Sequence, residues 1–278
     1  MLETPSGWAL LFLIGTFTGT LSGLLGIGGG LLMVPALTVF NVPLVQATAT
    51  SLVGVFLSSV SGSIRNLRAG ELNWRVSMLL ALFGIFTAQV GAWLGDRIPD
   101  AFLSLAFAGL LLVTIYLIHL KQQLKRKQSA DKLSADKLSA EKEFTEDDPF
   151  SQTTQLLPIA GIGLLAGVLS GLFGVGGGVV MVPLQMLFLA EGIKSAVRTS
   201  LGAIVAIAIS GLAQHAWNHN VLWIPGICLG LGGIFGAQVG SRLLPRLPDQ
   251  TVNLMFRIFL IGLSAYMAMR AIATWKWG

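Results

Sequence analysis

The sequence predicts an all-α protein that crosses a membrane several times. Of its 278 residues, 54% are hydrophobic and only 11% are charged, whereas a soluble domain averages about 25% charged residues. Apolar runs of about 20 residues, the length that spans a bilayer as a helix, recur along the chain. The alternating segments of about 10 residues that build a membrane β-barrel are missing from the sequence.

A second observation, an internal duplication, defines the architecture. Residues 22–30 read SGLLGIGGG, residues 170–178 read SGLFGVGGG, and each motif is followed by a Val-Pro pair. Beyond the motifs the halves still agree: TS at 50–51 matches TS at 199–200, and AQVG at 88–91 recurs at 237–240. Agreement over most of both halves indicates a gene duplication.

A charged segment separates the two copies. We therefore predict a first transmembrane repeat at 1–120, a linker at 121–154 and a second transmembrane repeat at 155–278. Within the linker, SADKL at 129–133 is repeated at once. A five-residue period makes no stable apolar stripe on a helix, so the linker is predicted to be solvated.

Each repeat is predicted to contain a glycine-broken apolar stretch followed by three spans. In the first repeat the broken stretch covers about 8–40, and the spans cover about 44–64, 75–95 and 101–120. In the second repeat the corresponding segments cover about 156–190, 196–215, 221–243 and 250–270.

The direction of the broken stretch decides how the repeats are related. If the stretch is a helical hairpin, each half crosses an odd number of times and the second half is inverted. If it crosses once, the halves are parallel. Lys and Arg concentrate in cytoplasmic loops, and the inverted arrangement collects more of them on one side, as follows: Arg65, Arg68, Arg75, Lys194, Arg198, Arg242, Arg246 and the linker. We therefore predict inverted-topology repeats, with a cytoplasmic linker and both termini outside.

The glycine motifs are the predicted substrate site. Glycine lets the backbone turn sharply and expose its amides, and the helix that follows presents free N–H groups and a positive dipole end. Two such helix starts meeting near the membrane midplane would suit a small anion. The residues concerned are Gly28, Gly29, Gly30, Gly176, Gly177 and Gly178. The alternative is close helix packing, which glycines also permit.

Polar side chains at matched positions extend the candidate site. Hydroxyl groups of Thr50, Ser51, Thr199 and Ser200 are candidate donors to an oxyanion, with helix capping or interhelical hydrogen bonding as the alternative. Ser22 and Ser170 present the same choice.

Three further residues carry two interpretations each. Gln89 and Gln238 lie within spans, where an amide is costly in lipid, and they either line the site or join helices. Arg198 replaces Ala49 of the first half and either attracts the anion or anchors the helix at the membrane surface.

Other classes of function are disfavoured. The chain has one cysteine, Cys228, which excludes an intramolecular disulfide and a cysteine-based metal cluster. No Lys-Ser/Thr follows either glycine motif, as a P-loop would require, and the full G-x-S-x-G elbow of a hydrolase is missing. We predict no catalytic residues, metal site or cofactor, and no nucleic-acid binding.

The twin glycine motifs, the TS pairs and the QVG runs resemble the sulfite exporter TauE/SafE family. The resemblance covers both halves and omits the linker. It implies a membrane transporter for sulfite, sulfonates or related sulfur-containing anions.

From residues and resemblance together, we predict a secondary transporter that exports sulfite or small organosulfonates by alternating access. A passive small-anion channel, or a transporter for another small anion or a metal ion, is the alternative. The expected location is the plasma membrane, as a multi-pass protein of the bacterial inner membrane in contact with lipid. The sequence leaves the oligomeric state open, a homo-oligomer included.

Overall fold

The computed structural model describes residues 4–116 and 150–277, and within them the protein is helical without strands. The described helices are α1 (Pro5–Leu25), α2 (Gly30–Val39), α3 (Leu44–Arg68), α4 (Trp74–Gly95), α5 (Asp100–Tyr116), α6 (Phe150–Phe173), α7 (Gly178–Phe188), α8 (Ile193–Trp217), α9 (Trp223–Leu243), a 3-10 turn (Leu244–Arg246) and α10 (Asp249–Trp277). Seven of these described helices are long and apolar enough to span a membrane. The predicted all-α, polytopic membrane fold is confirmed. Most of the predicted linker lies outside the described residues.

Glycines break the two apolar stretches as predicted. Helix α1 ends where Gly26 adopts a left-handed φ of 70°, and α2 begins after Gly29 with φ 84°. In the second half Gly174 and Gly177 take φ values of 68° and 76°. Residues with a side chain rarely adopt these positive φ values. Glycine is therefore what allows each apolar stretch to turn here.

Helices α1 and α4 of the first half pack on helices of the second half. Helix α1 packs on α9 of the other half, and α4 packs on α6. Gly19 meets the backbone of Gly233, and Gly167 meets the backbone of Gly84, so closely that a Cβ at either site would clash. For these glycines the close-packing interpretation holds.

Helices α3 and α8 are mostly buried and contact each other in antiparallel order. The Leu52 side chain lies 3.4 Å from the position of a Cβ on Gly211, and the Leu201 side chain lies at the same distance from a Cβ on Gly62. The order of contacts along one helix therefore reverses along the other.

The direction of α2 follows from contacts with α9. Helix α1 runs parallel to α9, because Gly15 meets Leu229 and Gly23 meets Ser241. Helix α3 also runs parallel to α9: Leu57 contacts Gly230, and Gln238 bonds to Ser61. Since α1 and α3 point the same way, α2 between them runs back, and the broken stretch is a hairpin.

Large apolar side chains cover the outer surface of the described helices. They include Leu13, Phe17, Phe86, Leu157, Phe235 and Ile258. Such a surface suits contact with lipid chains and would be costly in water.

Candidate functional site

The two glycine breaks cross each other at the centre of the molecule. A Cβ on Gly30 would clash with the carbonyl oxygen of Gly174, and a Cβ on Gly178 would clash with the carbonyl oxygen of Gly26. Residues 22–31 and 170–180 are all buried. Contact between the two breaks therefore requires glycine at both crossing points.

Two serines fasten this crossing. Ser51 Oγ lies within hydrogen-bond distance of the carbonyl oxygen of Gly174, at 2.9 Å, and of Thr48 O in its own helix, at 2.7 Å. Ser200 Oγ is placed in the same way, 2.8 Å from Gly26 O and 2.9 Å from Val197 O. Each serine comes from the half opposite to the glycine it holds. A hydroxyl carries one hydrogen, so in this arrangement Ser51 and Ser200 cap carbonyl groups and have no proton left for an anion.

Backbone amides at the breaks are left without acceptors. The Gly26 amide donates to Ser22 O, and the next amide with a backbone acceptor is that of Leu32, which donates to Gly29 O at 3.2 Å. Among the described residues, no acceptor is bonded to the amides of 27–31 or of the matching segment, 175–179. Buried orphan amides are rare in proteins because each costs free energy. Their clustering marks a place where a ligand would find donors.

Two apolar side chains pack against glycines that carry these amides. Val55 Cγ1 lies 2.9 Å from the position of a Cβ on Gly28 and 2.8 Å from that on Gly176. Ile204, at the matching position of α8, lies at 3.2 Å and 2.8 Å from the same two positions. Val55 and Ile204 thus pack against the central glycine of each break.

A family model described as sulfite exporter TauE/SafE matches residues 11–267. The chain belongs to the TauE/SafE family. The resemblance seen in the glycine motifs is thereby confirmed, and with it the prediction of a membrane transporter.

Similar proteins cover almost the whole TauE/SafE chain. The probable membrane transporter protein YunE of Bacillus subtilis is 27% identical over 273 residues, which is 95% of this chain and 98% of YunE. A probable membrane transporter protein of Methanocaldococcus jannaschii is 26% identical, covering 94% of this chain and 95% of its own length. No solved structure gives a significant match.

The two breaks differ in how many unpartnered hydroxyl groups lie near them. Ser22 and Ser170, at matched positions before the breaks, are fully buried and have no hydrogen-bond partner. Ser59 is equally buried and unpartnered, and its Oγ lies 3.4 Å from the position of a Cβ on Gly28. Its counterpart in the second half is Ala208. The first break of this TauE/SafE protein is therefore richer in free hydroxyls.

The remaining predicted site residues are distributed differently. Thr199 Oγ1 is buried without a partner, whereas Thr50 Oγ1 accepts a bond from the Leu222 amide at 3.0 Å. Gln238 donates to Ser61 O and Ser61 Oγ at 3.0 Å, which joins α9 to α3. Gln89 has an exposed side chain.

Arg198 lies in a cluster of three charged side chains, in which one carboxylate pairs with two arginines. Its Nη2 is 3.3 Å from Glu71 Oε1, and Arg65 Nη1 is 2.8 Å from Glu71 Oε2. The three side chains are 16–27% exposed. One carboxylate thus links the end of α3 to the start of α8, and this pairing gives Arg198 a role in joining the two halves.

We expect Glu71→Gln to lower the free energy of unfolding by about 1 kcal/mol, because two neighbouring guanidinium groups would lose their shared counter-ion. Thermal unfolding in detergent measures this. The control is Asp249→Asn, since Asp249 is 60% exposed in its pair with Lys194, and it should change stability less. If Glu71→Gln instead tightens sulfonate binding at unchanged stability, Arg198 is an anion ligand.

Three of the polar residues went unnoticed in the sequence. Ser59 and Thr48 have no hydroxyl residue at the matching positions of the second half. Agreement between the halves therefore does not point to them. Gln185 is fully buried on α7 with neither amide atom bonded, where the first half has Leu37. Differences between the two copies are the signal that would have found all three.

Among the described residues, no three His, Cys, Asp or Glu side chains lie together as metal ligands would.

Proposed function

We propose that this TauE/SafE protein exports sulfite or small organosulfonate anions by alternating access. The observation that carries the proposal is the cluster of buried, acceptor-less amides at the crossing of the two glycine breaks. A pyramidal oxyanion presents three acceptor oxygens, and each gains from a donor held in place without water.

The anion would bind most tightly beside the first break. There the amides of Gly28 and Gly29 are supplemented by the free hydroxyls of Ser22 and Ser59. The start of α2 adds its positive dipole end. The second break contributes its own amides and the hydroxyl of Ser170.

The proposal places the halves as inverted repeats. Support comes from the antiparallel contact order of α3 and α8 and from the hairpin formed by α1 and α2. With these directions, Arg65, Arg198 and Arg246 fall at one end of the molecule, which the positive-inside rule assigns to the cytoplasm. The linker would lie at that end, in a protein of the bacterial inner membrane.

Alternating access would arise from motion of Val55 and Ile204 with their helices. These side chains, one from each half, pack against the central glycines of both breaks. Separation of α3 and α8 at one end would open the amides to that side while the contacts at the other end persist. Equivalent movements in the two halves would then expose the anion alternately.

Counterflow in proteoliposomes tests the proposal. Labelled methanesulfonate should enter faster when vesicles are preloaded with unlabelled methanesulfonate or sulfite, because a carrier exchanges its substrate. Chloride, sulfate and acetate serve as comparison anions. Currents that stay ohmic to high concentration, without counterflow, would indicate a channel. Counterflow of acetate but not of methanesulfonate would reassign the substrate.

We expect Ser59→Ala to weaken methanesulfonate binding about tenfold, which corresponds to one hydrogen bond to a charged group. Isothermal titration of the purified protein measures the affinity. Ser104→Ala is the matched control, because Ser104 on α5 is likewise buried and unpartnered but does not contact the breaks. Equal affinities of the two variants would remove Ser59 from the site.

A further inference from the structure

A buried histidine and a carboxylate lie at the opposite end of the molecule from the arginine cluster. His215, near the end of α8, is fully buried. Its Nδ1 lies 3.6 Å from Asp96 Oδ1 at the end of α4, and its Nε2 lies 3.0 Å from the carbonyl oxygen of Gly171.

The contacts determine which nitrogen can change its proton. A carbonyl oxygen only accepts, so Nε2 carries a hydrogen and donates it to Gly171. Nδ1 has no hydrogen-bond partner and faces the carboxylate. Without a second proton, a lone pair and a carboxylate oxygen oppose each other. A proton on Nδ1 turns this contact into an attraction between an imidazolium and a carboxylate.

Asp96 connects this site with solvent. Its side chain is 20% exposed, while that of His215 is 1% exposed. Asn218 and Asn220 donate to the same carboxylate and hold it in place. Among the described residues, Asp96 is the only charged side chain in ion-pair contact with His215. The neighbouring Arg97 packs over the Trp93 ring at 3.8 Å, and His219 is exposed.

The histidine also contacts the helix that leads into the second glycine break. Gly171 lies in the last turn of α6, whose terminal carbonyl groups lack intrahelical donors. A positive charge at a helix C-terminus is favourable, so protonation of His215 would strengthen its bond to this end of α6. The chain turns into the break three residues later, at Gly174. Through this bond, proton binding at His215 would bear on the position of the break.

Among the described residues of the first half, the equivalent position holds no histidine. Asn66 occupies the position that matches His215, and its Nδ2 finds no partner. An amide does not titrate near neutral pH, so the proton site of the second half has no counterpart at this matching position.

We propose that His215 and Asp96 form a proton-binding site that couples proton movement to anion transport. This inference rests on the proposed function. In each cycle His215 Nδ1 accepts one proton through Asp96 and later releases it, with no other bond made or broken.

Proton movement in proteoliposomes tests the inference. Methanesulfonate is the probe, because it stays ionised and carries no proton of its own, as sulfite would. A trapped pH dye reports protons while valinomycin and potassium clamp the membrane potential. A methanesulfonate gradient should move protons with the wild-type protein. His215→Asn, which copies Asn66, should slow this movement at least tenfold while counterflow continues. His219→Asn is the control and should match the wild type.

The outcomes separate the two proposals. Without counterflow in the wild type, the transport proposal itself fails. Counterflow without proton movement, or proton movement that persists in His215→Asn, overturns the proton site alone. If His215→Asn does not fold, Asp96→Asn decides in the same assay, because it keeps the shape of the carboxylate while removing its charge. It should lose proton coupling, and unchanged coupling would refute the inference.

Discussion

Gly30→Ala and Gly178→Ala should each abolish transport and lower the yield of folded protein. At both positions the added methyl group would overlap a carbonyl oxygen of the opposite break. Backbone atoms in a packed centre cannot rotate away, and overpacking of this kind costs about 1–3 kcal/mol or more. The remaining folded protein would hold its breaks apart, so we expect counterflow to fall at least a hundredfold.

Gly262→Ala is the matched control for this prediction. Gly262 is also helical, on α10, and a Cβ there would meet no atom within 4 Å. Alanine is the better helix former by about 1 kcal/mol, so this variant should fold and transport like the wild type. Normal counterflow in Gly178→Ala would show that the breaks do not cross as described.

The double variant Ser51→Ala with Ser200→Ala should have the next largest effect. Each substitution removes the hydroxyl that can donate to a buried carbonyl oxygen of the other half, at Gly174 or Gly26, and that this carbonyl shares with one in the serine's own helix. Leaving a buried acceptor unsatisfied costs about 1–3 kcal/mol. The free energy of unfolding should therefore fall by about 2–6 kcal/mol for the pair, as measured by thermal or denaturant unfolding in detergent.

Ser241→Ala distinguishes this effect from simple loss of a buried hydroxyl. Ser241 Oγ donates to Ala237 O within its own helix at 2.7 Å, where the carbonyl can also accept the helical amide. We expect a change below about 1 kcal/mol. If the double variant is no less stable than Ser241→Ala, the two serines do not hold the crossing together.

Long apolar runs and repeated motifs predicted much of this fold. Helices α3, α4, α8 and α9 begin and end within a few residues of the predicted spans, because length, hydropathy and terminal polar residues are local properties of the chain. The glycine breaks were predicted for the same reason. The inversion of the halves stays a prediction from loop charge, supported by helix directions.

Contacts between the halves could not be predicted from these local properties of the sequence. Residue type made Ser51 and Ser200 candidate anion donors, with helix capping or interhelical hydrogen bonds as the alternative, and it could not show that carbonyl groups more than 120 residues away in sequence lie within their reach. The ion pair of Arg198 with Glu71 likewise joins residues that are far apart in sequence. Burial of His215 is likewise a tertiary property, since its neighbours in sequence are partly exposed.

The measurement that tests the central claim most directly is the position of a bound anion. Selenite is the heavier homologue of sulfite, and its selenium can be located by anomalous X-ray scattering in crystals of the protein. The account predicts one selenium about 4 Å from the amide nitrogens of Gly28 and Gly29, since each hydrogen bond spans about 2.9 Å. Selenium bound only at a surface arginine, with both breaks closed, would contradict it.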